Sequence, residues 1–550
     1  MIRSEEIYGL LPFDIEGVAL LAELALDLSW SWNHSTDQLW EKLDPALWEL
    51  TRNPWVILQS VSHEQLERQL ADPLFRQLMN DLKRSHEKVG LADKWFQTTY
   101  PLSHLKSIVY FSMEYMLSEA LPVYVGGLGN VAGDQLKSAN DLGVPITAIG
   151  LLYQRGYFRQ YIDEDGAQKE YFPYNDPGSL PVMPLRLPNG EWLRVKVALP
   201  GYPVWVRAWQ ALVGNLKLYL LDSNDPVNLP IHRGITGEIY GDGAEIRIKQ
   251  EMILGIGGWK VLEALNLSPE VCHLNEGHSA FAVLERASAF MKSTGLSFED
   301  ALTITRCGNI FTTHTLTSAG FDKFSPSLMS RYFQSYVTCE LKIGFDNFLA
   351  LGRSEYGDKE EPFNMALLAM RGSGFVNAVS KRHCEMSRKL FCSEFKRWPI
   401  NEIPIDYVTN GIHVPTWDSK IADTLWTQAC GKNRWRKQMV QPVTDIKALT
   451  NQELWTFRNE SRIELVKYVR EKFVRGSKHF KNDQDLFADS QKLLNENHLT
   501  LGFARRFVPY KRTNLLLNNP LRLLQILNNR DFPVQLVIAG KASPYDKQSK

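Results

Sequence analysis

The 550-residue chain has 62 Lys and Arg against 62 Asp and Glu, so its formal net charge is zero. A chain without net positive charge has no overall field that attracts nucleic acid or an anionic membrane surface, and we expect neither as a partner. Its 44% hydrophobic content excludes a disordered chain and is typical of a globular protein with more than one domain.

The six cysteines show no C-x-x-C pair and no regular spacing, which is typical of reduced thiols in a cytoplasmic protein and not of a zinc site. The N-terminal stretch MIRSEEIYGLLPFDIEG carries acids where a signal peptide needs basic and then apolar residues. No run of about 18 uncharged apolar residues occurs. We therefore expect a soluble, cytoplasmic protein.

Helical periodicity dominates the N-terminal part. From Phe13 to about Lys88, apolar residues recur every three or four positions. The stretches DPALWEL and SHEQLERQL each begin with a residue type that caps helix N-termini. The sequence predicts a helical N-terminal region.

From residue 107, short apolar runs alternate with helical stretches. This alternation predicts a parallel β-sheet covered by helices, and hence an α/β fold. The predicted strands are SIVYFS at 107, PITAIGLLY at 145, LKLYLLD at 216, VCHLN at 271, NIFTTH at 309 and GFVNAVS at 374.

The last part of the chain has its own pattern. From Ile421 to about Asn497 it is helical and polar, and then HLTLGFA and PVQLVIAG predict two strands around the helical stretch RTNLLLNNPLRLLQIL. Two strands and one helix cannot bury both faces of a parallel sheet, so we expect a second α/β domain that is incomplete at Lys550. The alternative is that these strands join the first sheet.

The stretch VYVGGLGNVAGDQLKSANDLG, residues 123 to 143, places four glycines at the start of a predicted helix: Gly126, Gly127, Gly129 and Gly133. Glycines allow close backbone approach and a helix N-terminus favours anions, so this turn predicts a phosphate site. It also matches G-x-G-x-x-A, the fingerprint of dinucleotide binding. A nicotinamide cofactor is disfavoured because the turn follows a proline and the next strand ends in basic and aromatic residues, not in an acid.

A second candidate anion site is GFARRFVPYKRTN, where a predicted strand ends. Ligands of open α/β sheets bind at the carboxyl ends of strands, and guanidinium groups match phosphate oxygens. A solvated basic face is the alternative. The four cations are Arg505, Arg506, Lys511 and Arg512.

Further polar residues lie in apolar, strand-like surroundings. A buried histidine is more often a core residue than a catalyst, but a common position at strand ends indicates a shared cleft. The candidates are Asn275, Glu276 and His278 in VCHLNEGHSAF, His314 in FTTHTLTSAG, and Asn410, His413 and Trp417 in YVTNGIHVPTWD.

Seven blocks of the sequence resemble, in this order, the α-glucan phosphorylases, which act on glycogen, starch or maltodextrin. Residues 1–105 resemble the helical N-terminal extension of the bacterial and archaeal branch, so the resemblance covers almost the whole chain. The blocks are YFSMEYMLSEALPVYVGGLGNVAGDQLKSANDLGVPITAIGLLYQRGYFRQ, GDGAEIRIKQEMILGIGG, HLNEGHSAF, FTTHTLTSAGFDKF, VNAVSKRHCEMSRKLF, VTNGIHVPTW and GFARRFVPYKR.

The resemblance implies a GT-B type α/β architecture, in which two Rossmann-like domains face an active-site cleft. The domains would be a helical extension over 1–105, an N-terminal Rossmann-like domain for glucan and phosphate over 106–415, and linker helices with the start of a C-terminal Rossmann-like domain over 416–550. The implied reaction is reversible phosphorolysis of terminal α-1,4-glucosidic bonds to glucose 1-phosphate with retention. The implied cofactor is pyridoxal 5′-phosphate, used through its phosphate. Members of this family are commonly dimeric or larger.

The resemblance also implies phosphate-binding residues. Gly126 and Gly127 match the loop whose backbone amides meet the substrate phosphate, and Leu128 would lie under the glucose. Arg506 and Lys511 match the family's phosphate-binding pair. Two neighbouring phosphates repel strongly, which explains why such a site needs several cations and amides.

For the sugar, His314 matches a histidine that contacts the glucose 6-hydroxyl and whose carbonyl lies by the anomeric carbon. Tyr510 would lie near the sugar, and His278 matches a histidine of the cleft wall. Asn410 and Asp242 match further sugar-site positions. Arg506, Lys511 and His314 are thus the candidate catalytic residues.

For the cofactor, Arg505 matches a basic position near its phosphate, and Trp417 and Gly127 match positions close to it. The chain departs from the family at Val508 and Pro509, where relatives carry a histidine and an acid. Thr313 likewise replaces the asparagine of the family's N-H-T motif. The family's Schiff-base lysine is expected beyond residue 550.

Two other functions compete with this interpretation. Glycogen or starch synthases also carry a GGLG turn, but a lysine precedes it in that family, whereas Tyr124 and Val125 precede it here. A non-catalytic, truncated glucan-binding homologue is the second. A retaining glycosidase would need two paired carboxylates, and nothing in the sequence pairs Glu114, Glu119 or Glu276.

Overall fold

The computed structural model describes residues 11–91, 94–355, 357–436, 440–477 and 489–550. These residues form two compact units. The first unit lies within Met1–Tyr157 and Tyr174–Thr416, and the second lies within Phe158–Pro173 and Trp417–Lys550.

The N-terminal part of the first unit is helical, as the sequence predicts. Asp44 accepts the N–H of Leu47 at 2.9 Å and Ser62 accepts the N–H of Gln65 at 3.2 Å, so both predicted N-caps are confirmed. The helices are α1 (Val18–Leu26), α2 (Asp37–Leu43), α3 (Pro45–Thr51), α4 (Pro54–Ser60), α5 (His63–Ala71), α6 (Pro73–Leu91) and α7 (Trp95–Thr99).

All eight strands predicted from the sequence are present, together with others that the sequence reading missed. The strands are β1 (Ile108–Phe111), β2 (Ile146–Leu151), β3 (Arg159–Ile162), β4 (Gln168–Tyr171), β5 (Met183–Pro184), β6 (Arg194–Val197), β7 (Val204–Val213), β8 (Leu216–Asp222), β9 (Val271–Asn275), β10 (Asn309–Thr313), β11 (Lys323–Phe324), β12 (Phe363–Asn364), β13 (Phe375–Ala378), β14 (Asp406–Tyr407), β15 (Leu499–Ala504) and β16 (Val534–Ala539).

The first unit is built on a ten-stranded sheet in the order β14-β13-β10-β9-β1-β2-β8-β7-β5, with β6 also paired to β7. The strands from β14 to β8 are parallel to their neighbours, as predicted. β5, β6 and β7 are antiparallel additions at one edge, which the sequence did not predict, so the sheet is mostly and not wholly parallel. Arg207 interrupts the apolar pattern of β7, and in the folded unit its charge is paired with Asp222 at 2.8 Å.

Helices follow most of the parallel strands. A Cβ at Gly258, in α11, would lie 2.7 Å from the ring of Phe111, so that glycine allows the helix to pack closely on β1. The remaining helices of the chain are α8 (Gly127–Leu142), α9 (Pro230–Arg233), α10 (Ala244–Met252), α11 (Gly258–Ala264), α12 (Phe281–Thr294), α13 (Phe298–Arg306), α14 (Pro326–Tyr336), α15 (Phe345–Ala350), α16 (Met365–Arg371), α17 (Lys381–Leu390), α18 (Val414–Trp417), α19 (Lys420–Cys430), α20 (Val440–Lys447), α21 (Asn451–Ser477) and α22 (Pro520–Leu527).

The second unit contains the β3–β4 hairpin and a two-stranded parallel sheet of β15 and β16. Within the described ranges these last two strands pair only with each other, which favours the predicted separate α/β domain over an extension of the first sheet. The predicted helix between them is interrupted. A 3₁₀ segment spans Thr513–Leu517, and α22 starts at Pro520 with Asn519 accepting the N–H of Arg522, because proline cannot continue a preceding helix.

None of the helices described for this chain is both long and apolar enough to cross a lipid bilayer. In the same residues, no group of three or more His, Cys, Asp or Glu side chains is arranged to hold a metal ion.

Candidate active site

The residues that follow β1, β9 and β10 meet at the carboxyl edge of the large sheet. His314 Nε2 lies 2.6 Å from Asn275 Oδ1, and Asn275 Nδ2 donates to Ser112 Oγ at 3.1 Å. Parallel pairing of the three strands brings their carboxyl ends to one edge. The candidate residues after β9 and β10 are therefore neighbours in the fold.

Glu276 holds the backbone that follows β10. Its Oε2 accepts the N–H of His314 at 2.7 Å and the hydroxyl of Thr315 at 3.1 Å, and its Oε1 accepts the N–H of Gly277. Burial raises the pKa of Glu276, and the backbone N–H groups of Gly277 and His314 oppose this rise. Both oxygens are occupied by donors, so Glu276 acts as a support for the loop.

His314 is a neutral imidazole with a defined tautomer. Burial lowers its pKa to about 4, and the nearby His383 and His273 lower it further. Since Asn275 uses its amide nitrogen for Ser112, its oxygen must accept from His314 Nε2–H. His314 Nδ1 then carries a lone pair that can accept a hydrogen bond from a ligand hydroxyl.

His278 is 2% exposed, and its Nε2 accepts the N–H of Met113 at 3.1 Å. Burial lowers the pKa of His278 to about 3, and the charge of Arg247 adds to this effect. The structure thus places His278 as a neutral side chain that fastens the residues after β9 to those after β1.

The glycine turn is anchored by a buried carboxylate. Glu114 is 4% exposed, and its Oε2 accepts the N–H of Val125 at 2.7 Å and that of Gly126 at 3.0 Å. Its Oε1 accepts the hydroxyl of Tyr240. All these bonds are internal, so Glu114 fixes the turn in place.

An ion pair between Arg247 and Asp322 supports Tyr240. Arg247 donates to both carboxylate oxygens of Asp322, at 3.1 and 2.8 Å, and its guanidinium lies 4.5 Å from the centroid of the Tyr240 ring. Sequence reasoning missed this support, because Arg247 and Asp322 are 75 residues apart and no local pattern connects them. A local sign of an ion pair at Arg247 is its i,i+4 spacing to Glu251, whose Oε1 lies 3.1 Å from Arg247 Nε.

The four glycines of the turn have different reasons to be glycine. A Cβ at Gly133 would lie 1.9 Å from the carbonyl oxygen of Met116, and one at Gly129 would lie 3.0 Å from Glu114 Oε2. At Gly126 and Gly127, a Cβ would meet nothing within 4 Å. Internal packing therefore explains Gly129 and Gly133, whereas the space beside Gly126 and Gly127 is open to a ligand.

The helix N-terminus behind this space has no side-chain cap. α8 begins at Gly127, and its N-cap Gly126 has φ −159°, ψ −151° and no side chain to accept the first amides. Its first turn also carries no acid. The amides of Gly127 and Leu128 point outward as in any helix N-terminus, which favours an anion.

Two predicted sugar-site residues of the first unit are exposed. Asp242 lies in the loop before α10, and Asn410 follows β14 with its N–H donating to the carbonyl of Val379 at 3.1 Å. Among the described residues, neither side chain is hydrogen-bonded to the cluster around His314.

The second unit contains the predicted basic loop. Arg505 and Arg506 follow β15, and Lys511 lies in a short 3₁₀ turn over Pro509–Lys511. Partial burial lowers the pKa of Lys511, and the charges of Arg505 and Arg506 lower it further. Arg505 and Arg506 therefore lie close enough to Lys511 to repel its ammonium group. Such a group of cations favours a bound anion. Tyr510 is 73% exposed and Trp417 is 45% exposed.

Comparison with known proteins identifies two matching regions. The family described as "Carbohydrate phosphorylase" matches residues 260–550, and one described as "Protein of unknown function (DUF3417)" matches residues 15–121. The resemblance seen in the sequence is confirmed by the first of these matches.

Curated relatives align with nearly the whole chain. "Maltodextrin phosphorylase" from Thermococcus litoralis is 38% identical over 548 residues, 99% of this chain and 64% of that protein. "Glycogen phosphorylase" from Mycobacterium tuberculosis is 37% identical over 97% of this chain and 63% of that protein. "Glycogen phosphorylase" from Aquifex aeolicus is 33% identical over 96% of this chain and 75% of that protein. The chain therefore spans slightly less than two thirds of the first two relatives.

Proposed function

This chain belongs to the carbohydrate phosphorylase family, and from that premise we propose that it acts as an α-1,4-glucan phosphorylase. The proposed reaction is reversible phosphorolysis of the terminal α-1,4 bond of maltodextrin or glycogen to glucose 1-phosphate, with retention. The observation that carries the proposal is the open, uncapped start of α8 beside Gly126 and Gly127, in a chain that aligns over 99% of its length with a relative named maltodextrin phosphorylase.

For phosphate, we propose the amides of Gly127 and Leu128 on the first unit. The Gly126 N–H already donates to Glu114, so Gly126 would contribute only open space for the ligand. The N–H of Gly127 would donate the hydrogen bond to the phosphate. On the second unit, taken by itself, Arg506 and Lys511 are the proposed phosphate-binding cations. Donors preorganised in this way stabilise charge that develops in the transition state.

For the sugar, the proposed contact is His314 Nδ1, which accepts from the glucose 6-hydroxyl. The imidazole is held neutral by burial and oriented by Asn275. His314 would therefore orient the glucose as a hydrogen-bond acceptor and would not transfer a proton. Asn410, Asp242 and Tyr510, all exposed, are the further proposed sugar contacts.

The family implies pyridoxal phosphate, and the basic loop fits the phosphate end of that cofactor. Partial burial lowers the pKa of Lys511, repulsion from Arg505 and Arg506 lowers it further, and a bound dianion would relieve this repulsion. Arg505 and Trp417 are the proposed contacts, and we assign no lysine of this chain to the aldehyde. When bound, the cofactor supplies a phosphate group that exchanges a proton with the substrate phosphate.

The test is phosphate-dependent release of glucose 1-phosphate from maltoheptaose by the polypeptide as its gene encodes it. We expect Arg506→Ala to lower kcat/KM about a hundredfold or more, because a bidentate cation would be lost from the site. Arg522→Ala is the matched control, since Arg522 is exposed on α22 outside the basic loop.

Two results would contradict the proposal. One is glucosyl transfer from ADP-glucose without phosphorolysis, which would indicate a synthase. The other is maltoheptaose binding with no turnover of either substrate, which would indicate a glucan-binding protein.

A further inference from the structure

Lys137 is a buried cation on the helix that begins at the glycine turn. It lies on α8, is 1% exposed, and its Nζ donates to Thr416 Oγ1 at 3.1 Å. The same ammonium lies 5.2 Å from the centroid of the Trp32 ring. Burial lowers the pKa of Lys137 to about 8, and the charge of Asp134 opposes this shift.

A second contact joins α8 to the segment that ends at Thr416. Asp141, one turn after Lys137 on α8, has its Oδ2 3.2 Å from His413 Nε2, and both side chains are buried. The other ring nitrogen, His413 Nδ1, lies 2.8 Å from Thr416 Oγ1. Trp32 packs edge-on against His413, with ring centroids 5.7 Å apart.

These contacts form one consistent hydrogen-bond chain. The Lys137 ammonium can only donate, so Thr416 Oγ1 accepts from it. The Thr416 hydroxyl then donates to His413 Nδ1, which leaves Nε2–H to donate to Asp141. This series of hydrogen bonds begins at the Lys137 ammonium and ends at the Asp141 carboxylate, and both residues lie on α8.

The two segments joined in this way each carry proposed ligand positions. α8 begins with the open space beside Gly127, and the segment from Asn410 to Thr416 begins at a proposed sugar contact. The backbone at Asn410 is tied to β13 through Val379, and at Thr416 it is tied to α8 through Lys137.

We propose that Lys137 is a positioning residue of the reaction: through Thr416 and His413 it holds segment 410–416 against α8 and so sets Asn410 relative to Gly127. This inference rests on the proposed function for its catalytic consequence. The side chain itself is buried, so it acts through Thr416 and His413.

Stability alone does not account for a lysine here. Replacing a buried charged group by an apolar side chain of similar volume is often neutral or stabilising, because no ion has to be desolvated. Methionine would fill nearly the same space as Lys137 without a charge. A buried polar chain does, however, favour one arrangement of the segments that it connects.

The experiment compares Lys137→Met and Thr416→Val with two controls. Thr416→Ser keeps the hydroxyl of the chain, and Lys260→Met removes a partly buried lysine that donates to the Lys196 carbonyl in another part of the unit. For each variant we would measure amide hydrogen exchange of peptides covering 406–417, the melting temperature, and kcat and KM for phosphorolysis.

We expect Lys137→Met and Thr416→Val to exchange faster within 406–417 and to lose about tenfold or more in kcat, without a matching fall in melting temperature. Both controls should keep the exchange within 406–417 and the kcat of the unmodified protein, although Lys260→Met also removes the ion-pair partner of buried Glu285. If Lys137→Met does not fold, the same measurements on Thr416→Val test the inference.

Unchanged exchange and unchanged kcat in Thr416→Val would overturn the inference, as would a kcat loss explained entirely by unfolding. Absence of phosphorolysis in the unmodified protein would contradict the proposed function alone, because the exchange measurement does not depend on turnover.

Discussion

The carboxylate of Glu114 accepts the backbone N–H of Gly126 at 3.0 Å, so an acid that could have been considered for catalysis instead fixes the glycine turn. The same oxygen accepts the N–H of Val125, and the second oxygen accepts the Tyr240 hydroxyl. Both oxygens of Glu114 are therefore used inside the fold. Glu114 therefore helps to position the open start of α8, together with the Met116 N–H, which donates to the Gly129 carbonyl at 2.9 Å.

Glu114→Ala should lower the free energy of unfolding by about 3 kcal/mol, because it leaves three donors without their acceptor in a buried place. Urea denaturation measures this loss. Glu119→Ala is the control, since Glu119 is exposed and accepts a hydrogen bond from the Tyr124 hydroxyl at 3.2 Å, and it should change stability by less than about 0.5 kcal/mol. Equal effects of the two variants would contradict the supporting role of Glu114.

Gly127→Ala and Gly133→Ala should act in opposite ways. A Cβ at Gly127 meets nothing within 4 Å, so the alanine variant should keep its stability or gain up to about 1 kcal/mol, while its KM for phosphate rises. A Cβ at Gly133 would lie 1.9 Å from a backbone oxygen, so that variant should lose about 3 kcal/mol or more. Thermal denaturation and initial rates at varied phosphate separate the two effects. An unchanged phosphate KM in Gly127→Ala would place the phosphate elsewhere.

Lys137 should make the protein less stable at neutral than at alkaline pH. Its pKa in the folded protein is about 8, against an ordinary value of 10.5, so the unfolded chain binds more protons between these values and stability rises with pH across that window. The shift corresponds to about 3 kcal/mol. The difference in unfolding free energy between the unmodified protein and Lys137→Met should change by that amount from pH 7 to pH 11. A constant difference would mean that Lys137 is solvated.

Buried His278 predicts a dependence of the same sign, stability rising with pH, in the acid range. Burial lowers the pKa of His278 to about 3 from an ordinary 6.5, so stability rises with pH from about 3 to 6.5 and is lost as pH falls through this range. Between pH 7 and pH 5, His278 alone should cost about 2 kcal/mol. His278→Gln should remove this part of the pH dependence in urea denaturation, whereas replacing the exposed His34 by glutamine should not.

His314→Ala should lower kcat/KM by about a hundredfold, and this penalty should not add to that of a substrate lacking the 6-hydroxyl. The reason is that both changes remove the same hydrogen bond, to His314 Nδ1. The measurement is synthesis from glucose 1-phosphate and its 6-deoxy analogue with both proteins. Additive penalties would show that His314 and the 6-hydroxyl do not interact.

Local sequence patterns were sufficient for much of this fold. Apolar periodicity and capping residues predicted the N-caps Asp44 and Ser62 and eight strands, because neighbouring residues dominate those choices. The eight strands are β1, β2, β8, β9, β10, β13, β15 and β16. The motifs also identified the family, since seven ordered blocks were present. β7 was missed because Arg207 interrupts its apolar pattern, and the partner of that charge, Asp222, lies on the neighbouring strand β8.

The roles of individual polar residues depended on contacts between distant parts of the chain. Nothing near Glu114 in the sequence shows that it binds the turn, and the partners Lys137 and Thr416 are 279 residues apart. Composition and periodicity were enough for the class of fold, the family and the glycine turn, because these features are local. Which carboxylates support a loop, which histidines are neutral and which glycines face open space were decided by tertiary packing, because burial and hydrogen-bond partners exist only after distant segments meet.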